Sequence, residues 1–214
     1  VNVIALEKCT ATLDALIMEK GDNMKEEEWG SMIIQVIMML LVYQKTYGLT
    51  HNDLHTNNIM YIKTDIQYLY YKVYEKYYKV PTFGRIFKMI DFGRAIYKFR
   101  GTIVCSDSYH AKGDAANLYN IEPYFIENKP RLEPNFSFDL CRLGCSLYDF
   151  FIDELEEQSD SITITAKHIV RDWCLDDKGR NVLYKTNGEE RYPDFKLYKM
   201  IARTVHNCTP ESQL

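Results

Sequence analysis

Residues 32 to 43 read MIIQVIMMLLVY, an apolar run broken only by Gln35. Nothing else in the chain constrains the fold as strongly. A helix that is apolar nearly all round cannot lie on a surface; the rest of the chain must enclose it. Asn23 and Glu26 have the spacing of a capping box, and Glu26, Glu27 and Glu28 put acids in the first turn. Gly48 suits the residue that stops a helix, so the pattern predicts one long helix from this capping box to about Tyr47. The run is shorter than the roughly 18 apolar residues a bilayer requires, so no membrane span is expected. With 214 residues, 46% apolar and 26% charged, the chain can supply the enclosing core as one domain or one large lobe. Its net charge of −4 gives no electrostatic case for nucleic-acid binding.

Around this helix the pattern predicts short elements. Val1 to Leu6 (VNVIAL) reads as a buried strand, and Thr12 to Glu19 as a helix. Ile59 to Lys63 reads as a strand, Tyr68 to Val80 as a tyrosine-rich hairpin turning near Glu75, and Phe87 to Ile90 as another strand. Residues 92 to 135, rich in Gly, Pro, Asn and Ser, read as a long functional loop. Phe138 to Phe151, Ile162 to Cys174 and Phe195 to His206 return to helical periodicity. The expected fold class is therefore α+β, mainly α with small β-hairpins. Six cysteines include no C-x-x-C pair; Cys141 and Cys145 share one helix face without two further ligands at metal spacing. They read as reduced, small apolar residues of a cytoplasmic protein.

HNDLHTNNIM at 51 to 60 follows the buried helix, and IDFGRA stands at 90 to 95. Asp53, Asn58 and Asp91 are hard oxygen donors. Any one of them could simply cap a turn. Together, two on a tight turn leading into a strand and one at the end of its neighbour, they could converge at one edge. An amide and a carboxylate there make a ligand set that suits Mg²⁺ when phosphate oxygens and water complete the shell. A further carboxylate could orient or deprotonate a hydroxyl.

His51-Asn-Asp53-Leu-His55-x-x-Asn58, followed by Asp91-Phe92-Gly93, resembles the catalytic and magnesium loops of the protein-kinase superfamily. FDLCRLGCSLYDF at 138 to 150 resembles the buried helix after the activation segment, with Asp139 and Gly144 in the expected places. The wording is most similar to Ser/Thr-type kinases of large DNA viruses, and the resemblance spans nearly the whole chain. It implies a kinase-like fold in which 1–9 are the last small-lobe strand and the hinge, and 10–214 the large lobe. Within that lobe, 64–86 would be a hairpin insertion and 91–135 the activation segment. It implies an ATP- and Mg²⁺-dependent kinase that transfers the γ-phosphate to a Ser or Thr hydroxyl of a protein substrate, in host cytoplasm or virion. Asp53 would receive or orient the acceptor hydroxyl, with His55 beside it and His51 buttressing the loop against Phe92. Asn58 and Asp91 would hold magnesium; the backbone of the hinge residues Glu7, Lys8 and Cys9 would bond adenine, with Leu6 at the gatekeeper position beside it.

The chain also departs from that pattern. Asn52 stands where regulated kinases carry Arg, which weakens the case for activation by loop phosphorylation at Ser106, Ser108 or Tyr109. His55 replaces the usual Lys, so the acceptor class cannot be read there, and its charge depends on pH near neutrality. No A-P-E motif ends the segment, although Glu133-Pro134 lies nearby. Asp53 and Asp91 are 38 residues apart, long by about one hairpin. The ten glycines include no G-x-G, and no strand lysine precedes the hinge, so the reading is of a fragment whose small lobe lies in a longer parent. A catalytically inactive scaffold and a small-molecule kinase are the alternatives.

Overall fold

The computed structural model describes residues 3–152 and 164–214. It is an α+β fold organised on helix α2, with three small antiparallel sheets beside it. The elements are β1 (Ala11–Thr12), α1 (Leu13–Lys20), α2 (Glu26–Tyr47), β2 (Ile59–Lys63), β3 (Tyr68–Val73), β4 (Lys76–Pro81) and β5 (Arg85–Met89). Then come β6 (Tyr97–Phe99), β7 (Thr102–Val104), α3 (Phe138–Ile152), α4 (Ile164–Trp173) and α5 (Lys196–Thr204). None of the described helices is long and apolar enough to cross a membrane.

Helix α2 buries Trp29, Met32, Ile33, Val36, Ile37, Leu40 and Leu41, and Gly48 ends it with φ of 56°. That left-handed conformation is cheap for glycine and costly for other residues. The start of the helix differs from expectation. Lys25, not Asn23, is the N-cap residue, and its N–H donates to the Glu28 carboxylate at 3.0 Å. Lysine has no side-chain acceptor, so only this half of a capping box forms. Glu26 instead accepts the N–H of Ala166 on α4 at 2.8 Å.

Gln35, the polar break in the apolar run, is buried and joins α2 to β5. Its amide donates to the Ser31 hydroxyl at 3.1 Å and the Arg85 carbonyl at 3.3 Å, and accepts the Phe87 N–H at 3.0 Å. Arg85 adds an ion pair to Glu28 at 2.9 Å. The central helix is thus pinned to the sheet by polar groups whose bonding potential is met inside the core.

Strands β1, β2 and β5 form one sheet in that order, with Ile59 opposite Met89 and Lys63 opposite Arg85. The tyrosine hairpin β3–β4 grows from the far end of the β2–β5 pair. Its base is closed by the Thr64 N–H to the Gly84 carbonyl at 3.0 Å and the Thr82 N–H to the Gln67 carbonyl at 2.9 Å. It runs along α2: Ser31 near the start of the helix bonds the Pro81 carbonyl at 2.5 Å, and Lys45 near its end lies over the Tyr74 ring. The Tyr74 hydroxyl bonds Glu211. Leu69, Tyr71 and Val80 turn inward, whereas Tyr70 and Tyr77 are exposed, as strand alternation requires.

Of the strand expected over Val1 to Leu6, positions 1 and 2 lie outside the described residues, and residues 3–6 form no strand. Residues 3–9 are irregular, with Val3, Ile4 and Leu6 about four-fifths exposed. No described strand lies beside them, and an extended segment without a ladder partner gains nothing from being apolar. Pairing begins only at the Thr10 N–H, which donates to the Tyr61 carbonyl at 2.8 Å. The loop expected over 92–135 is mostly irregular but contains the β6–β7 hairpin. Positions 162 and 163 of the expected fourth helix lie outside the described residues, and α4 runs from Ile164.

Helices α3 and α4 approach closely at Gly144. A Cβ there would lie 2.9 Å from the Trp173 Cβ and 3.1 Å from the Cys174 Sγ. All six cysteines are free, and Cys141, Cys145, Cys174 and Cys208 are buried as small core residues.

Candidate active site

The turn over residues 50 to 58 leaves α2 and enters β2 under restraint from three sides. Thr50 and Ile96 exchange two backbone hydrogen bonds, both 2.9 Å. Asp139, at the first turn of α3 and fully buried, accepts the N–H of His51 and of Asn52, each at 2.8 Å. Burial pushes the Asp139 carboxyl up from the usual carboxylate range, while the two amide donors pull against that shift. Thr56 ties the end of the turn to α1 and α3: its hydroxyl donates to Asp14 at 2.9 Å, and its N–H to the Ser146 hydroxyl at 3.2 Å.

His51 is fully buried, 5.1 Å from the Phe92 ring centre. Its Nε2 lies 2.9 Å from the Ile90 carbonyl, which can only accept, so Nε2 carries the proton. His51 therefore bridges the two polar segments rather than facing the opening. Asn52 has φ of 63°, a left-handed conformation that Asn tolerates better than most residues. Its amide donates to the Thr50 carbonyl and hydroxyl and to the Arg94 carbonyl at 3.0–3.1 Å, and accepts the Tyr119 hydroxyl at 2.8 Å.

Asp53, Asn58 and Asp91 come together at one end of the β2–β5 pair. The Ile90 N–H donates to the Asn58 carbonyl at 3.0 Å, continuing the register of Ile59 opposite Met89. Asp91 is thus one residue beyond the partner of Asn58. The Asn58 amide nitrogen donates to the Asp53 carbonyl at 2.9 Å and lies 3.2 Å from the His55 Nε2. With that nitrogen committed, the amide oxygen is the group left to offer a cation. Asp91 is exposed, has φ of 59°, and accepts the Gly93 N–H at 3.3 Å. The hairpin that separates Asp53 from Asp91 in sequence extends from the other end of the strand pair and leaves this juxtaposition untouched.

The donor set fits magnesium. One amide oxygen and one exposed carboxylate are hard donors, and Mg²⁺ commonly takes one or two protein oxygens and fills its shell from phosphates and water. Among the described residues, no group of three or more His, Cys, Asp or Glu forms a complete protein cage for a metal.

Asp53 has partners that the sequence does not announce. Its carboxylate accepts the Tyr198 hydroxyl at 2.7 Å and pairs with Arg94 at 3.2 Å. Partial burial pulls Arg94 down, but Asp114 at 2.6 Å and Asp53 more than offset this and hold its guanidinium above its ordinary value. The Tyr198 ring lies 5.0 Å from the Arg142 guanidinium and 5.7 Å from that of Arg94, and stacks on Phe195 at 5.3 Å. Burial raises the Tyr198 hydroxyl above its usual value. Burial is also the first cause that lowers His55 below its ordinary 6.5, with the charge of Arg142 adding to it.

The residues expected to meet adenine precede β1. Leu6 and Glu7 are on exposed, irregular backbone, and Glu7 pairs with Lys88 of β5 at 2.6 Å. Cys9 is half-buried, its thiol 3.9 Å from the Glu7 carbonyl. Among the described residues, no hydrogen bond or ion pair joins them to Asp53 or Asp91. No protein-family model matches the chain, and no curated protein matches it.

Proposed function

We propose that this chain carries the phosphotransfer machinery of a kinase-like fold, moving the γ-phosphate of ATP to a Ser or Thr hydroxyl of a protein. The observation that carries the reading is the Ile90 to Asn58 backbone bond. It sets an amide oxygen and a carboxylate at adjacent strand ends, beside a turn that presents a second carboxylate, Asp53. In this reading Asn58 and Asp91 hold Mg²⁺, whose bound charge would neutralise the phosphates. Asp53 orients the acceptor hydroxyl and takes its proton. His55, kept neutral by burial near pH 7, can donate one hydrogen bond beside it. Asp139 and His51 act on the chemistry only by fixing the turn. The protein contributes position and charge more than covalent chemistry.

A second reading, a non-catalytic module that binds partners, draws on the engagement of Asp53 by Tyr198 and Arg94. A substrate hydroxyl would compete with Tyr198 for Asp53.

Titrating Mg²⁺ in a γ-phosphate transfer assay of the full-length protein tests the first reading. Transfer should require the metal, and Asp91→Asn should raise the concentration needed. Transfer that proceeds equally well in excess chelator would overturn it.

A further inference from the structure

A cavity of about 260 Å³ opens on the segment between β7 and α3. It is smaller than the roughly 300–1,000 Å³ of sites that engulf a drug-sized ligand, and suits a single side chain. Its apolar wall is Ile126, Pro130 and Leu132. Three cations, Lys129, Arg131 and Arg203, stand around it, and none of the described lining residues is acidic. That is a local excess of positive charge on a chain whose net charge is −4.

These charges are held but not neutralised. Lys129 Nζ donates to the Asn117 amide oxygen at 3.0 Å, and Arg203 donates to the Asn117 carbonyl at 3.4 Å. Both acceptors are neutral, and among the described residues no carboxylate pairs with Lys129 or Arg203. Arg131 has Glu133 at 3.9 Å, both side chains more than half exposed, where a salt bridge contributes little. The wall is built in advance. The Asn120 side chain donates to the carbonyls of Ile126, Lys129 and Pro130 at 2.9–3.1 Å and accepts the Ile126 N–H at 2.7 Å. One buried asparagine thereby fixes the loop that carries two of the cations, so little ordering remains for binding.

We infer that this cavity binds an anionic side chain, of the phosphoserine type, presented by an extended peptide. Cations around an apolar wall match a charged group carried on a carbon chain better than a bare ion, and guanidinium groups suit phosphate oxygens. The cavity is also tied to Asp53. Tyr119 lines it and donates its hydroxyl to Asn52. Arg203 lies on α5 with Tyr198, about 7.5 Å further along the axis at 1.5 Å per residue. A peptide anchored here could reach that end of the molecule. Naming it a substrate rests on the phosphotransfer reading; the binding does not.

Fluorescence anisotropy without nucleotide tests the inference, using a labelled peptide with one central phosphoserine, its serine counterpart, and inorganic phosphate as competitor. The phosphoserine peptide should bind at least about tenfold more tightly than the serine peptide. K129A/R131A/R203A should abolish that difference, and since all three residues are exposed, its circular dichroism should match the wild type. Arg131→Gln alone should give an intermediate loss. Equal binding of the two peptides, an unchanged preference in the triple variant, or competition by inorganic phosphate as strong as by the unlabelled phosphopeptide would each overturn it. With no nucleotide present, none of these outcomes depends on whether the protein transfers phosphate.

Discussion

The Tyr198 hydroxyl donates to Asp53 Oδ1 at 2.7 Å, joining residues 145 positions apart. On the phosphotransfer reading, this hydroxyl competes with the acceptor hydroxyl for Asp53 and is the group it would displace. Tyr198→Phe removes the competitor and leaves the ring beside Arg94 and Arg142. The acceptor KM should fall with kcat near its wild-type value, and stability should drop by about 1 kcal/mol, the net worth of one hydrogen bond. Steady-state kinetics and urea denaturation read the two effects separately; a raised KM would contradict the displacement.

Asp139 has a different duty, since both its carboxylate oxygens are committed to the amides of His51 and Asn52. Asp139→Ala strands two buried N–H groups. The expected loss is about 3 kcal/mol or more, at roughly 1–3 kcal/mol for each unsatisfied donor. Asp139→Asn keeps one acceptor oxygen and should lose less. Urea midpoints at constant m-value give the comparison.

The glycines of α2 and α3 separate packing from propensity. Gly144→Ala places a methyl 2.9 Å from the Trp173 Cβ and should cost about 1–3 kcal/mol through overpacking. Gly30→Ala meets no atom within 4 Å in the interior of α2 and should stabilise by about 0.5–1 kcal/mol. Thermal denaturation of the two variants should show shifts of opposite sign.

His55 predicts a pH dependence. Burial, with Arg142, holds it below its ordinary 6.5, so the unfolded chain binds this proton more readily than the folded one. The contribution is fully present above pH 6.5 and is lost as the pH falls through 6.5 toward the depressed folded value. His55→Gln does not titrate. Between about pH 7.5 and 5.5 the wild type should lose more stability than this variant in urea denaturation; equal losses would contradict the assignment.

Elements with a strong local signature were legible from sequence. The apolar run and Gly48 mark α2, and the aromatic alternation of 68–80 marks the hairpin. The apolar character of residues 3–6 does not make a strand, because a strand exists only with a partner and these residues have none among the described elements. The convergence of Asp53, Asn58 and Asp91 follows from the β2–β5 register, which two short strands in sequence suggest. The grip of Tyr198, Arg94 and Asp114 on the site does not. Those contacts join α5 and a distant loop to the turn, and no local pattern announces them. Asn52 could be read as a missing arginine; its left-handed backbone and its bonds to Thr50, Arg94 and Tyr119 depend on tertiary structure.

The most direct test of the account is γ-phosphate transfer from ATP to a protein hydroxyl by the full-length protein with Mg²⁺, beside Asp53→Asn. The account predicts transfer by the wild type and a loss of about 10²-fold or more in the variant, the range of a positioned general base. Equal transfer by the two proteins, or none by either, would contradict it.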